Sequence, residues 1–281
     1  MIIAENLKYL FFVGSGRTGS TLLGQLVNYH PRCLISNESR FLQNCVYENR
    51  DIQMSAEAMV RQAVHEYQSG LEKSTTHGRN LIQYQKDWIK MGDLVANSEF
   101  EKKEIKIIGD KKAGGNATTF RENPDKFQHI IDLLGRENVY FIQITRDPLD
   151  SIFSYTQSHN YSVEIATEKV IQDTQSGIDI SKMFNNYLLC KYEDLLSDPS
   201  AILNMIFSFL DEVCRKEWIT EISTKISLKK KYKNKHVENI MSNKDIMKKL
   251  YSANCFREFL DERQKSVCTL NTASIYPEDK L

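Results

Sequence analysis

The sequence predicts an α/β fold, a single domain with a central parallel sheet flanked by helices. Three observations carry that expectation. Apolar runs of strand length alternate with helically patterned stretches along the 281 residues. The first run leads into a glycine-rich turn and then a helix, over Phe11-Phe12-Val13-Gly14-Ser15-Gly16-Arg17-Thr18-Gly19-Ser20-Thr21-Leu22-Leu23. A later run, Val139 to Thr145, stops at Arg146, and Pro148 opens another helix. Strands joined through helices return by crossovers and lie parallel, with ligands at their C-terminal ends.

The elements follow in order. Tyr9 to Val13 is the first strand, and Thr18 to Tyr29 is a helix carrying Leu22, Leu23, Leu26 and Val27 on one face before Pro31. His30 to Arg40 reads as a loop with a short strand. Ile105 to Ile108, Val139 to Thr145 and Tyr187 to Cys190 are the remaining strand-length runs. Asp198 and Pro199 supply a cap and an N1 proline to a helix bearing Ile202, Leu203, Ile206, Phe207 and Leu210. The expected domain is residues 1–281, with core blocks 9–40, 105–112, 139–160 and 183–210. Helical insertions fill 46–104 and 155–182, and a basic segment covers 228–281.

Lys plus Arg and Asp plus Glu number 37 each. A net charge of zero gives no general attraction to nucleic acid or membrane, so any anion site is local. Six cysteines, at 33, 45, 190, 214, 255 and 268, show neither C-x-x-C nor metal-ligand spacing. They read as reduced thiols of a cytoplasmic protein. No segment approaches the roughly 18 apolar residues of a membrane span. Oligomeric state leaves no mark in the sequence.

The glycine-rich turn aims backbone N–H groups and a helix N-terminus at one point, which suits a phosphate or a similar anion. A Walker A loop ends G-K-[ST], with its lysine on the terminal phosphates. Here Gly14 and Gly19 keep the glycine spacing, Ser20 stands at the lysine position, and Arg17 is the loop's cation. That departure points to sulfuryl rather than phosphoryl transfer. Downstream, Arg146 at a strand end and Ser154 two helical turns past Pro148 form a second candidate anion site. Two such sites suggest a nucleotide with phosphates at both ends.

The chain resembles sulfotransferases that use 3′-phosphoadenosine 5′-phosphosulfate (PAPS). Gly14 to Leu23 is similar to that family's 5′-phosphosulfate loop, itself P-loop-like. Arg146-Asp-Pro-Leu-Asp-Ser-Ile-Phe-Ser154 is similar to its 3′-phosphate motif, R-x-P-x-D-x-x-x-S. Gly109-Asp110-Lys111-Lys112 resembles a G-[DE]-K element, and Lys191-Tyr192-Glu193-Asp194-Leu195 the Y-E-D-L segment after a later strand.

The resemblance implies roles. Arg17 neutralises the 5′-phosphate and the bridging oxygen as the S–O bond breaks, and Gly16, Thr18, Gly19, Ser20 and Thr21 supply donors to the same phosphate. Arg146 and Ser154 take the 3′-phosphate. Tyr192 matches a position near the adenine, and equally reads as a core tyrosine at a strand end. Lys111 touches the sulfonate or stabilises the site. Helical insertions shape the acceptor pocket, and a late basic segment folds over the nucleotide. Asp147 and Asp150 brace the turn. A general base is needed for the acceptor hydroxyl. His30-Pro31 through Glu38 and Arg40 resembles the H-P-x(n)-E-x-R segment of tyrosylprotein and carbohydrate sulfotransferases, which makes Glu38 the base and Arg40 a neighbouring cation. His30, His65, His77, His129 and His159 compete, since small-molecule sulfotransferases use a histidine.

PAPS is thus the implied co-substrate and no metal is implied, in the absence of a Walker B pattern or a ligand cluster. The acceptor is a hydroxyl on a carbohydrate, a tyrosine or phenol, or a small alcohol. Two other classes stay open: a P-loop kinase-like phosphotransferase and a non-catalytic nucleotide-binding protein.

Overall fold

The computed structural model describes residues 2–72, 104–226 and 235–261. Five strands form one sheet: β1 (Ile2–Val13), β2 (Cys33–Ser36), β3 (Glu104–Asp110), β4 (Val139–Thr145) and β5 (Tyr187–Lys191). Their spatial order is β2-β3-β1-β4-β5, and each recorded pair of neighbours is parallel. After β1 the chain moves out to β2 and returns to β3, then crosses over β1 to β4 and β5. Successive connections therefore leave β1 and β4 in opposite directions. The crevice beyond their C-terminal ends is the topological switch point, where open α/β sheets bind ligands.

Both sheet faces are buried, which explains why the strands read as unbroken apolar runs. Leu10 and Phe12 of β1 join one core and Phe11 and Val13 the other, as the alternation of a strand requires. The first core receives α1 (Ser20–Tyr29), and the second α2 (Phe41–Tyr47) and α3 (Ile52–Glu72). After β3 come α4 (Ala113–Glu122) and α5 (Pro124–Leu134). After β4 come α6 (Pro148–His159) and α7 (Val163–Met183). Beyond β5 stand α8 (Tyr192–Ser197), α9 (Pro199–Phe209) and α10 (Lys216–Lys225). Leu203, Ile206 and Phe207 of α9 pack with Trp218 and Ile219 of α10 in the first core. As the sequence predicts, the Asp198 side chain caps α9 through the Ala201 N–H and Pro199 takes the first turn.

The chain divides into two compact units, residues 1–146 with 173–230 and residues 147–172 with 231–281. The first contains the whole sheet. The second contains α6, whose Asp147 cap accepts from the Leu149 N–H, with α11 (Lys235–Ser242) and α12 (Lys244–Ser252). Its own core gathers Leu149, Ile152, Val170, Ile246, Leu250 and Phe256.

β3 and β5 run one or two residues beyond the sequence reading, and the starts of β1 and α1 also differ from it. β1 begins at Ile2 rather than Tyr9, because Ile2 and Ile3 pair with Glu104 and Ile105, with a register shift before Lys8. Glu5 and Asn6 lie in the irregular stretch between the two paired segments. α1 begins at Ser20 rather than Thr18, because Arg17 and Gly19 adopt positive φ. Of the expected insertion 46–104, residues 73–103 and with them His77 lie outside the described residues, as do Lys229 to Asn234 of the basic segment and Cys268. No helix among the described residues is long and apolar enough to cross a membrane.

Candidate active site

The sequence-predicted residues of the first unit follow strand ends at the C-terminal edge of the sheet. Gly14 to Gly19 leave β1, Glu38 follows β2, Lys111 follows β3, Arg146 follows β4 and Tyr192 follows β5. The parallel register brings these positions together although they span most of the sequence.

The glycine-rich turn is a tight, internally braced loop. Gly14, Arg17 and Gly19 have φ of 93°, 65° and 94°. Thr18 Oγ1 donates to the Ser15 carbonyl at 2.9 Å, and the first helical bond runs from Leu23 N–H to the Gly19 carbonyl at 3.0 Å. The sequence reading offers both N–H and hydroxyl donors of Thr18 to Thr21 to a phosphate; here the Thr18 hydroxyl serves the loop itself. Thr18 and Ser20 are buried, whereas Gly16, Arg17, Gly19 and Thr21 are half-buried. Behind the loop, the buried Gln143 of β4 fills the space against Gly14, where a Cβ would come within 2.8 Å of its Cγ. Its amide donates to the Thr174 carbonyl, and its oxygen accepts from the Tyr187 hydroxyl.

Arg146 and Tyr192 close the other side. Arg146 Nη1 donates to the Arg17 carbonyl at 3.2 Å, and its guanidinium carbon stands 4.9 Å from the Tyr192 ring centroid. The strand-end arginine and the loop arginine therefore belong to one cluster at the β1–β4 switch point. Tyr192 is buried and lies under Gly19, where a Cβ would sit 2.3 Å from its Cδ2. Tyr192 thus belongs to the first core, and its ring also backs the glycine-rich loop. Gly19→Ala would combine a disfavoured φ with a collision against this ring. It is expected to cost about 2–6 kcal/mol, from strain and overpacking of about 1–3 kcal/mol each. Thermal unfolding with and without a bound nucleotide checks it.

Glu38, at φ 69°, receives Lys111 Nζ on Oε1 at 3.0 Å and Lys112 Nζ on Oε2 at 2.7 Å. The Glu38 side chain is 48% exposed, that of Lys112 29% and that of Lys111 6%. Burial raises the Glu38 carboxyl, but the two ammoniums outweigh it and leave it below the ordinary glutamate range. Glu38 is therefore ionised at neutral pH, as a proton acceptor must be. Burial lowers Lys111, partly offset by Glu38 and Asp110. The aliphatic stem of Lys111 crosses α1 at Gly24, where a Cβ would lie 2.9 Å from its Cγ. The stem of Lys112 likewise crosses Gly115, at 2.6 Å. Gly24→Ala should therefore displace Lys111 from Glu38 and let the carboxyl titrate higher, a shift that carbon-13 NMR of labelled glutamate would read.

The histidines fare differently. His30 is buried at the far end of α1, its ring 4.8 Å from that of Phe207, and its Nδ1 accepts from the Arg32 N–H. It stands at the opposite end of the sheet from the loop. His65 and His129 are exposed on α3 and α5. His159 and Ser154 belong to the second unit, where Ser154 is half-buried on α6 and His159 Nδ1 lies 2.7 Å from Ser158 Oγ. A cleft of about 990 Å³ is lined by Leu7, Tyr9, Ile108 and His129, with residues of α3 and α5, and by none of the glycine loop, Glu38, Lys111, Arg146 or Tyr192.

A family model described as the sulfotransferase family matches residues 10–214. No curated protein matches the chain. Among solved structures, the chain is similar to a sulfotransferase domain from the curacin biosynthetic pathway, at 15% identity over 76% of this chain and 77% of that one, TM-score 0.47. It is also similar to the sulfotransferase domain of the Synechococcus PCC 7002 olefin synthase, at 19% identity over 84% and 82%, TM-score 0.48. Mouse sulfotransferase SULT7A1 complexed with PAP matches at 12% identity over 92% and 90%, TM-score 0.47.

Proposed function

Because the chain belongs to the sulfotransferase family, we propose that it transfers the sulfuryl group of PAPS to an acceptor hydroxyl and releases adenosine 3′,5′-bisphosphate (PAP). The observation that carries this reading is the pairing of two arginine-bearing strand ends at the switch point, with Arg146 bonded to the Arg17 carbonyl of the glycine loop. One donor with phosphates at both ends uses both.

In this reading the backbone of Gly16 to Thr21 and the Arg17 guanidinium hold the 5′-phosphate. Arg146 takes the 3′-phosphate, Ser154 is assigned to it by the motif in which it stands, and Tyr192 backs the nucleotide site. The acceptor oxygen attacks sulfur in line, and its proton passes to Glu38. The S–O bond to the bridging oxygen breaks, and that oxygen leaves with the electron pair on the 5′-phosphate of PAP, where Arg17 stabilises the new charge. Lys111 neutralises the sulfonate. No metal is assigned a role. The acceptor is a carbohydrate, a tyrosine or phenol, or a small alcohol. A cytoplasmic location is part of the reading, supported by Cys33, Cys45, Cys190, Cys214 and Cys255 as free thiols.

Thermal stability in PAP, 5′-AMP and Mg-ATP tests the donor site. PAP at a hundred times its Kd should stabilise the fold by about 2.7 kcal/mol, with 5′-AMP well behind. A response to Mg-ATP alone would overturn the reading in favour of a kinase.

A further inference from the structure

The loop that presents Glu38 is held from behind by two carboxylates that the reaction does not use. Asp110, the last residue of β3, is fully buried and accepts from the Ser39 N–H at 2.8 Å and from the Phe41 N–H at 3.2 Å. Glu66 of α3 accepts from the Asn37 N–H at 2.8 Å, and Gln62 Nε2 donates both to Glu66 and to the Asn37 carbonyl. Three alternate N–H groups of one short loop, at 37, 39 and 41, thus end on carboxylates. The residues between them, Glu38 and Arg40, have φ of 69° and 62°. Non-glycine residues in this region cost on the order of 1 kcal/mol or more each, and persist where the surroundings over-determine them.

Topology explains why Asp110 reaches this loop. β2 and β3 pair up to Ser36 and Asp110, and the Lys111 N–H donates to the Ser36 carbonyl at 2.9 Å. The loop therefore leaves the sheet beside the Asp110 side chain. Neighbouring residues serve opposite ends of one device: Asp110 holds the backbone around Glu38, and Lys111 meets its carboxylate.

We propose that Asp110, supported by Glu66, is a positioning residue, whose bonds to the Ser39 and Phe41 N–H groups hold the left-handed Glu38 loop so that Glu38 stands on Lys111 and Lys112. Its catalytic meaning rests on the reading of Glu38 as the base. A carboxylate suits the task because two N–H groups need two acceptor oxygens. Burial pushes the Asp110 carboxyl up to about 6, against the N–H groups of Phe41 and Ser39 and the neighbouring Lys111. It is still ionised at neutral pH. Among the described residues, Lys111 and Lys112 face Glu38, Glu66 faces Asn37, Asp110 faces Ser39 and Phe41, and the loop itself carries Arg40.

Asp110→Asn keeps the volume and turns an amide N–H₂ toward one of the two donors. The test is a carbon-13 titration of glutamate-labelled protein, with the Glu38 signal assigned by its loss in Glu38→Gln. In Asp110→Asn the Glu38 midpoint should rise by about one pH unit as the carboxylate leaves its lysines. The stabilisation by PAP should not change. An unmoved Glu38 midpoint would overturn the proposal. If Asp110→Asn does not fold, Glu66→Gln decides the matter, with a smaller rise expected and no rise overturning it. This readout needs no turnover, so it stands apart from the base assignment, which fails if Glu38→Gln retains full turnover.

Discussion

Glu38→Gln is expected to lower kcat by about 10²–10⁴ while leaving PAP binding intact, because the substitution removes the proton acceptor. Volume is preserved, but the amide keeps one oxygen where Lys111 and Lys112 each hold one, so one of the two lysines loses its partner. The donor loop lies on a different strand end, so the thermal response to PAP should match wild type. PAP release from PAPS is the measurement, with the acceptor that a screen of sugars, phenols and alcohols returns. The pH profile adds a second check. The lysines hold Glu38 below the ordinary glutamate range, so its ionised form is complete at neutral pH and is lost only as pH falls through that lowered value. Glu38 itself therefore imposes no acid limb near the ordinary histidine value of about 6.5. A limb there that vanishes on replacing His65 or His129, with full turnover in Glu38→Gln, would return the role to a histidine.

Arg17→Ala should lower kcat by about 10²–10³, again with PAP binding largely retained. The expected loss comes from the leaving group, whose charge grows only as the S–O bond breaks. The loop itself should survive, because Arg146 bonds to the carbonyl of residue 17 rather than to its side chain. Residue 17 sits at φ 65°, so alanine adds some strain to the loss of charge. Arg17→Gly separates the two effects, since glycine accepts that conformation freely. Equal losses in both variants would assign the effect to the guanidinium. Wild-type turnover in either would remove Arg17 from the reaction.

Much of this molecule is readable from local pattern. Strands buried on both faces are runs of apolar residues, so β3 and β4 could be placed within two residues of their ends, and the apolar run of the less buried edge strand β5 within one. The glycine loop is legible because positive φ at Gly14 and Gly19 demands glycine in sequence as well as in space. Asp198 and Pro199 announce α9 for similar local reasons. The start of β1 was not legible, because Ile2 and Ile3 join the strand by pairing with Glu104 and Ile105, about a hundred residues away.

The site divides in the same way. Arg17, Lys111, Arg146, Glu38 and Tyr192 each follow a strand, and the sequence alone marks them through the strand and turn patterns beside them. It does not reveal that the side chains of Lys111 and Lys112 converge on Glu38 across more than 70 residues, or that Glu66 and Asp110 share the work of holding the Glu38 loop. Nor does it show that Gln143 underpins Gly14, or that Gly24 and Gly115 leave room for two lysine stems. The sequence by itself determined the elements, the glycine-rich loop and the cations at the strand ends, since each depends on residues adjacent along the chain. The tertiary structure alone decided which charges meet. Strand order and register set those distances, and both follow from burying two apolar faces at once rather than from any local run of residues.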